Sequence, residues 1–139
     1  MGNQPSIIKK VNFEDIQNIL QHSTSHKTIL INTLDNTEVS QSCILPGTIH
    51  YTKEEAIINK CLQDDSTIQI IIYGENAGDI TIYKKYTQLV ELGFTNVYIY
   101  PGGMFEWMLL QEIYSDEHFI TTIKDLDILK FKPKSEMNS

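Results

Sequence analysis

Apolar positions change their period several times along the chain, and the changes alternate between helix and strand. Asn12 followed by Asp15 reads as an N-cap and first turn, and Phe13, Ile16, Ile19 and Leu20 recur at helical spacing to about Gln21. His22-Ser23-Thr24-Ser25-His26 breaks that pattern. Thr28 to Thr33 then reads as a strand ended by the turn residues Leu34-Asp35-Asn36-Thr37. Pro46-Gly47 precedes a short extended piece, Thr48 to Tyr51. Thr52-Lys53-Glu54-Glu55 has the form of a capping box, and Ala56, Ile57, Cys61 and Leu62 line one face of the helix it predicts, which Asp64-Asp65-Ser66 ends.

The run Ile68-Gln69-Ile70-Ile71-Ile72-Tyr73 is apolar at nearly every position, as expected of a strand covered on both faces. It opens into Gly74-Glu75-Asn76-Ala77-Gly78-Asp79. Beyond that loop Ile82, Tyr83, Tyr86, Leu89 and Val90 share a helical face, and Gly93 supplies a left-handed stop. Thr95 to Tyr100 reads as another strand, which Pro101-Gly102-Gly103 turns into the apolar stretch Met104 to Leu110. Strands separated by helical segments must pair in parallel through right-handed crossovers. The predicted fold class is therefore α/β: a sandwich of four or five short, mostly parallel strands with helices on both faces. Residues 1–6 are expected to form a flexible lead, 7–119 the domain, and 120–139 a C-terminal extension with a disordered end.

A chain of 139 residues fits one domain, which at that size removes roughly 68–70% of the unfolded surface from water. The formal net charge of −7 argues against nucleic acid, whose phosphates need a concentrated basic field. All 11 basic residues are Lys, so bidentate guanidinium recognition of an anion is excluded. Cys43 and Cys61 are the only cysteines and have no C-x-x-C spacing, which speaks for a reducing, cytoplasmic setting without redox or zinc chemistry. His22 and His26 would share a metal only on a helix, and Ser23-Thr24-Ser25 predicts a loop, so no metal or cofactor is expected. Met1-Gly2-Asn3-Gln4-Pro5-Ser6 has no apolar leader core but matches the pattern for N-myristoylation of Gly2. Modification there would give weak peripheral membrane contact, with Lys9 and Lys10 as a thin basic supplement.

The order of motifs resembles the rhodanese (thiosulfate sulfurtransferase) domain. That family has a strand of Leu-Ile-Asp-Val-Arg type, a Pro-Gly loop, a strand ending in Tyr-Cys, Leu-x-x-Leu-Gly-Phe, then Gly-Gly and a Trp. The counterparts here are Leu30-Ile31-Asn32-Thr33-Leu34, Pro46-Gly47, Tyr73-Gly74, Leu89-Val90-Glu91-Leu92-Gly93-Phe94, and Gly102-Gly103 with Trp107, over roughly Ile7 to Leu110. The resemblance implies a three-layer sandwich whose loop cysteine accepts sulfur as a persulfide, its thiolate stabilised by loop amides and a helix N-terminus.

At the matching places this chain has Gly74 instead of the cysteine, Asp79 instead of the Arg five residues later, and Asn32 and Leu34 instead of a flanking Asp and Arg. Glu75 and Asp79 put negative charge where an anionic sulfur donor would approach. Gly74 and Gly78 are expected to allow positive φ or close backbone approach and so keep an amide nest. Asp79 doubles as an N-cap candidate for the helix that follows. The expected function is a catalytically silent, rhodanese-like module that binds a protein or regulates one, and exposed rings among Tyr83, Tyr86, Tyr98 and Tyr100 would favour such a contact. The alternative is a divergent sulfurtransferase or persulfide carrier using Cys43. A cysteine-dependent phosphatase would need an Arg that the chain does not contain.

Overall fold

Three of the most apolar runs form the centre of the computed structural model, which describes residues 7–22 and 27–137. They are β1 (Thr28–Asn32), β2 (Gln69–Tyr73) and β3 (Val97–Tyr100), parallel and in the order β1-β2-β3. Leu30 lies beside Ile71 and Ile71 beside Tyr98, so successive side chains separate cleanly onto two faces. Ile31, Ile70, Ile72 and Ile99 pack on one face with Ile58 of α2 (Glu54–Asp64) and Ile82, Tyr86 and Leu89 of α3 (Thr81–Leu92). Leu30, Ile71, Tyr73 and Tyr100 pack on the other with Ile16 of α1 (Phe13–Gln21) and Met104, Trp107 and Met108 of α4 (Gly103–Tyr114). Both faces of the sheet are thus covered, which explains why β2 carries almost no polar side chain.

Among the described residues three regular strands form, where four or five are expected from the sequence. Each sheet edge gains a single bridge: the Ile49 amide donates to Leu30 O at 2.9 Å, and the Val11 amide to Ile99 O at 2.9 Å. The extended pieces around Thr48 and Lys10 are too short for a ladder.

Helix ends are set by local chemistry. Asn12 and Asp15 form a reciprocal capping box on α1, and Gly93 closes α3 with φ 118°. The capping box read at Thr52 does not form. Thr52 Oγ1 instead pairs with Nδ1 of His50 at 2.7 Å, and α2 starts after Lys53 with no side-chain cap. None of Tyr83, Tyr86, Tyr98 and Tyr100 is exposed, because all four pack on the two core layers. Beyond α4 the chain stays attached to the core: Phe119 and Phe131 are both buried.

Candidate functional site

The loop after β2 leaves the sheet where a parallel α/β fold normally places its chemistry, beyond the carboxyl ends of the strands. Tyr73 is fully buried at that end. Its hydroxyl accepts the Leu45 amide at 3.2 Å and meets Thr48 Oγ1 at 2.6 Å. Thr48 Oγ1 itself donates to Leu45 O, so the phenol must donate to Thr48. Burial pushes the Tyr73 phenol up to about 12, which keeps it a neutral donor.

Gly74 follows, and its neighbours explain the absence of a side chain. A Cβ built there would fall within 3.0 Å of Asp79 Oδ2 and 2.8 Å from Thr33 Oγ1, with Ile82 Cγ2 3.0 Å away. Asp79 has folded back over the start of its own loop. Its Oδ2 accepts the Glu75 amide at 3.0 Å, and its Oδ1 accepts the Thr81 amide at 2.9 Å and the Thr81 hydroxyl at 2.5 Å. The cap expected from Asp79 is therefore present one residue before the N-cap position, Ile80, and two before the first helical residue, Thr81, within the usual uncertainty of a helix end. Asn76 Oδ1 accepts the Gly78 amide at 2.9 Å, and Asn76 O the Asp79 amide at 3.0 Å. Four amides in this stretch are thus satisfied from within it.

Neither Gly74 nor Gly78 has positive φ. Close approach accounts for Gly74. Positive φ belongs instead to Gly103, at 68°, where α4 abuts the loop and the Met104 and Phe105 amides donate to Gly74 O and Glu75 O at 3.0 and 2.8 Å. These helix N-terminal donors hold the loop from behind. Burial, and then the charges of Asp79 and Asp35, raise the pKa of Glu75 above the ordinary carboxylate value, with Lys134 opposing the shift.

Beside the loop, Asn32 and Gln41 face each other as a reciprocal amide pair at 2.8 and 2.9 Å, and Asn32 Oδ1 also accepts the Leu34 amide at 3.1 Å. Leu34 is buried in the core. An uncharged pair therefore braces the end of β1. A cleft of about 490 Å³ opens next to it, bordered by Asp35, Glu54, Lys84 and Lys85, the last paired with Glu54 at 2.6 Å. No residue of the 74–79 loop lines that cleft. The Thr33 and Thr81 hydroxyls, bonded at 2.7 Å, border both the cleft and the Asp79 carboxylate.

Comparison with known proteins fits this geometry. The family model described as Rhodanese-like domain matches residues 14–110. The chain belongs to the rhodanese-like domain family. Among solved structures it is similar to the Saccharomyces cerevisiae single-domain sulfurtransferase RDL2, with TM-score 0.58 and 17% identity over 80% of this chain and 97% of that one. An uncharacterized protein from Saccharomyces cerevisiae aligns with TM-score 0.53 and 21% identity over 75% and 93%. Comparison with curated proteins finds no match.

Within this rhodanese-like domain Cys43 is completely buried, and its Sγ donates to Ile123 O at 3.2 Å. Burial raises its pKa, the opposite of what an activated thiolate requires. Cys61 packs against the α2/α3 core layer. His22 ends α1 with Nδ1 near Asn18 O at 3.0 Å, whereas His26 and the lipidation candidate Gly2 lie outside the described residues. Among the described residues no helix is long and apolar enough to cross a membrane. Sequence reasoning did not single out Gln41, Thr33 or Phe131. A polar residue directly after the strand was a signal for Thr33; nothing local marks Gln41, nine positions past β1, or Phe131.

Proposed function

We propose that this rhodanese-like domain transfers no sulfur and works as a protein-binding or regulatory module in the cytoplasm. One observation carries the reading: the Asp79 carboxylate fills the space that a side chain on Gly74 would need and accepts the Glu75 amide that would otherwise face a bound anion. A persulfide requires a nucleophilic sulfur at the loop, and the loop offers a backbone carbon and a negative charge. Fold alone does not restore that chemistry.

The experiment is a thiosulfate-to-cyanide transfer assay on the unmodified chain, combined with mass spectrometry for persulfide on Cys43 and Cys61. Background rates and no persulfide are expected, and sustained turnover rejects the reading. Myristoylation of Gly2 would add a weak, reversible membrane contact, which the mass of the N-terminal peptide from native material checks directly.

A further inference from the structure

The cleft at the carboxyl end of β1 is a second place where polar groups converge, and the Gly74 loop takes no part in its lining. Ligands of parallel α/β sheets sit in crevices beyond the strand ends, and about 490 Å³ is room for a small molecule. The floor is the 32–36 stretch. One wall is Tyr51 with the first turn of α2, and the facing wall is the edge of α3 from Thr81 to Gln88. Glu54 and Lys85 meet across the gap at 2.6 Å, both largely buried, and so tie the two walls at a set separation.

Beside that closed pair stands an open one. Glu55 and Lys84 are the adjacent residues on the same two helices, and both line the cleft. Among the described residues neither side chain has an ion-pair or hydrogen-bond partner, so opposite charges border one space without meeting. The floor adds polarity of a defined direction. An ionised carboxylate only accepts, so the single Thr81 hydroxyl proton goes to Asp79 Oδ1, and the Thr33 hydroxyl donates to Thr81 at 2.7 Å. With its proton spent, Thr33 Oγ1 offers the cleft lone pairs alone. Two residues on, the Asp35 carboxylate makes no hydrogen bond among the described residues. Asp35, Glu54 and Glu55 do not converge as a metal-binding group. Floor and α2 wall therefore favour an ammonium donor, and the α3 wall a carboxylate.

We propose that this cleft binds a free amino acid, its ammonium group seated among Thr33 Oγ1, Asp35 and Glu55 and its carboxylate on Lys84. The inference goes beyond the protein-binding reading and holds whether or not the loop transfers sulfur. A ligand with one charge leaves one wall unmatched: an amine is repelled by Lys84, and an anion by Asp35 and Glu55. The recognising charges stand on exposed side chains, where each ion pair is weak, so the affinity is on the order of millimolar.

The test titrates the full, isotope-labelled chain with glycine, 4-aminobutyrate and 6-aminohexanoate, which carry the same two charges at increasing separation, and with butylamine and butyrate, which carry one each. The Thr33, Asp35, Glu55 and Lys84 amides should shift and saturate with at least one of the amino acids, at a dissociation constant at least about tenfold below those of butylamine and butyrate. Lys84→Met and Glu55→Gln change exposed side chains, and each should weaken that amino acid at least about fivefold, while Lys84→Met should not weaken butylamine. Glu91→Gln, on α3 but outside the cleft, should bind as the unmodified chain does. The amide spectrum of each variant reports its folding directly. No saturation by any of the three amino acids up to about 100 mM, equal affinity for the one-charge compounds, or unchanged affinity in either cleft variant overturns the proposal. Thiosulfate transfer is measured separately, so turnover rejects only the silent reading and a failed titration rejects only the amino-acid site.

Discussion

Asp79 and Gly74 compete for one volume. The carboxylate Oδ2 stands closer than 3.0 Å to the place a Cβ on residue 74 would take, so the loop holds either a side chain at 74 or this carboxylate, but not both without movement. Asp79 also accepts from Glu75 and Thr81, so its position follows from the loop's own donors and needs no ligand. The identities of residues 74 and 79 are therefore coupled in space, although they stand five positions apart in the chain.

Placing a reactive thiol at residue 74 must therefore change both residues. In Gly74→Cys alone the thiol is forced against a carboxylate, and its pKa should sit at or above the free-cysteine value of about 8.5. Adding Asp79→Arg removes the charge, frees the Glu75 amide and supplies a cation, and the double variant should titrate at least about one unit lower. Alkylation rate against pH, resolved by mass at residue 74, measures both; equal values in the two variants would show that the amides do not converge there.

Glu75 gives the loop a measurable pH dependence. Burial first, and then Asp79 and Asp35, raise its pKa in the folded protein above the ordinary 4.5. A raised carboxylate binds its proton more tightly when folded, so its stabilising contribution is complete below the unfolded value and is lost as pH rises through the folded value. Glu75→Gln should therefore raise the melting temperature at pH 7 and leave it nearly unchanged at pH 3.5. Denaturation curves at the two pH values decide, and an equal or larger gain in acid would contradict the assignment.

Much of this arrangement was legible in the sequence because it is local. The alternating runs gave the strands and helices, Asn12 with Asp15 gave a cap, and Tyr73-Gly74 located the loop, since each depends on residues a few positions apart. What stayed hidden is long-range. Thr52 looked like a cap until His50 took its hydroxyl, and one or two rings among the four tyrosines looked exposed until two helical layers covered them. Phe131 reads as one aromatic in a lysine-rich tail, and only the folded chain brings its carbonyl to Asn76, 55 positions earlier. The return of Asp79 over Gly74 is also a matter of loop conformation, which a cap motif does not specify.

Tyr73 links the loop to the core through its hydroxyl, and the phenol is expected to matter more for stability than for any reaction. Tyr73→Phe leaves the buried Leu45 amide without its acceptor and Thr48 Oγ1 without its donor. An unsatisfied buried donor costs about 1–3 kcal/mol, so a loss in that range should appear in urea denaturation with an unchanged slope. A loss under about 0.5 kcal/mol would mean that water replaces the phenol at a site thought to be closed.

Gly103 tests whether α4 holds the loop in place. Its φ of 68° is disfavoured for any L side chain, and a Cβ there would stand 2.7 Å from Gly74 O and 2.9 Å from the Glu75 carbonyl carbon, atoms of backbone that cannot rotate away. Left-handed backbone costs an alanine roughly 1–2 kcal/mol, and the forced separation adds roughly 1–3 kcal/mol, so Gly103→Ala should destabilise the domain by about 2–5 kcal/mol. Gly78→Ala is the control: its φ is not positive, and the nearest atom is the Asn76 side-chain oxygen at 3.3 Å. That change should cost less than about 1 kcal/mol. Hydrogen exchange separates packing from simple strain, because a helix pushed off the loop must release the Met104 and Phe105 amides from Gly74 O and Glu75 O before the rest of the sheet exchanges. Equal protection of those two amides in Gly103→Ala and the unmodified chain would show that the loop is positioned by its internal bonds alone.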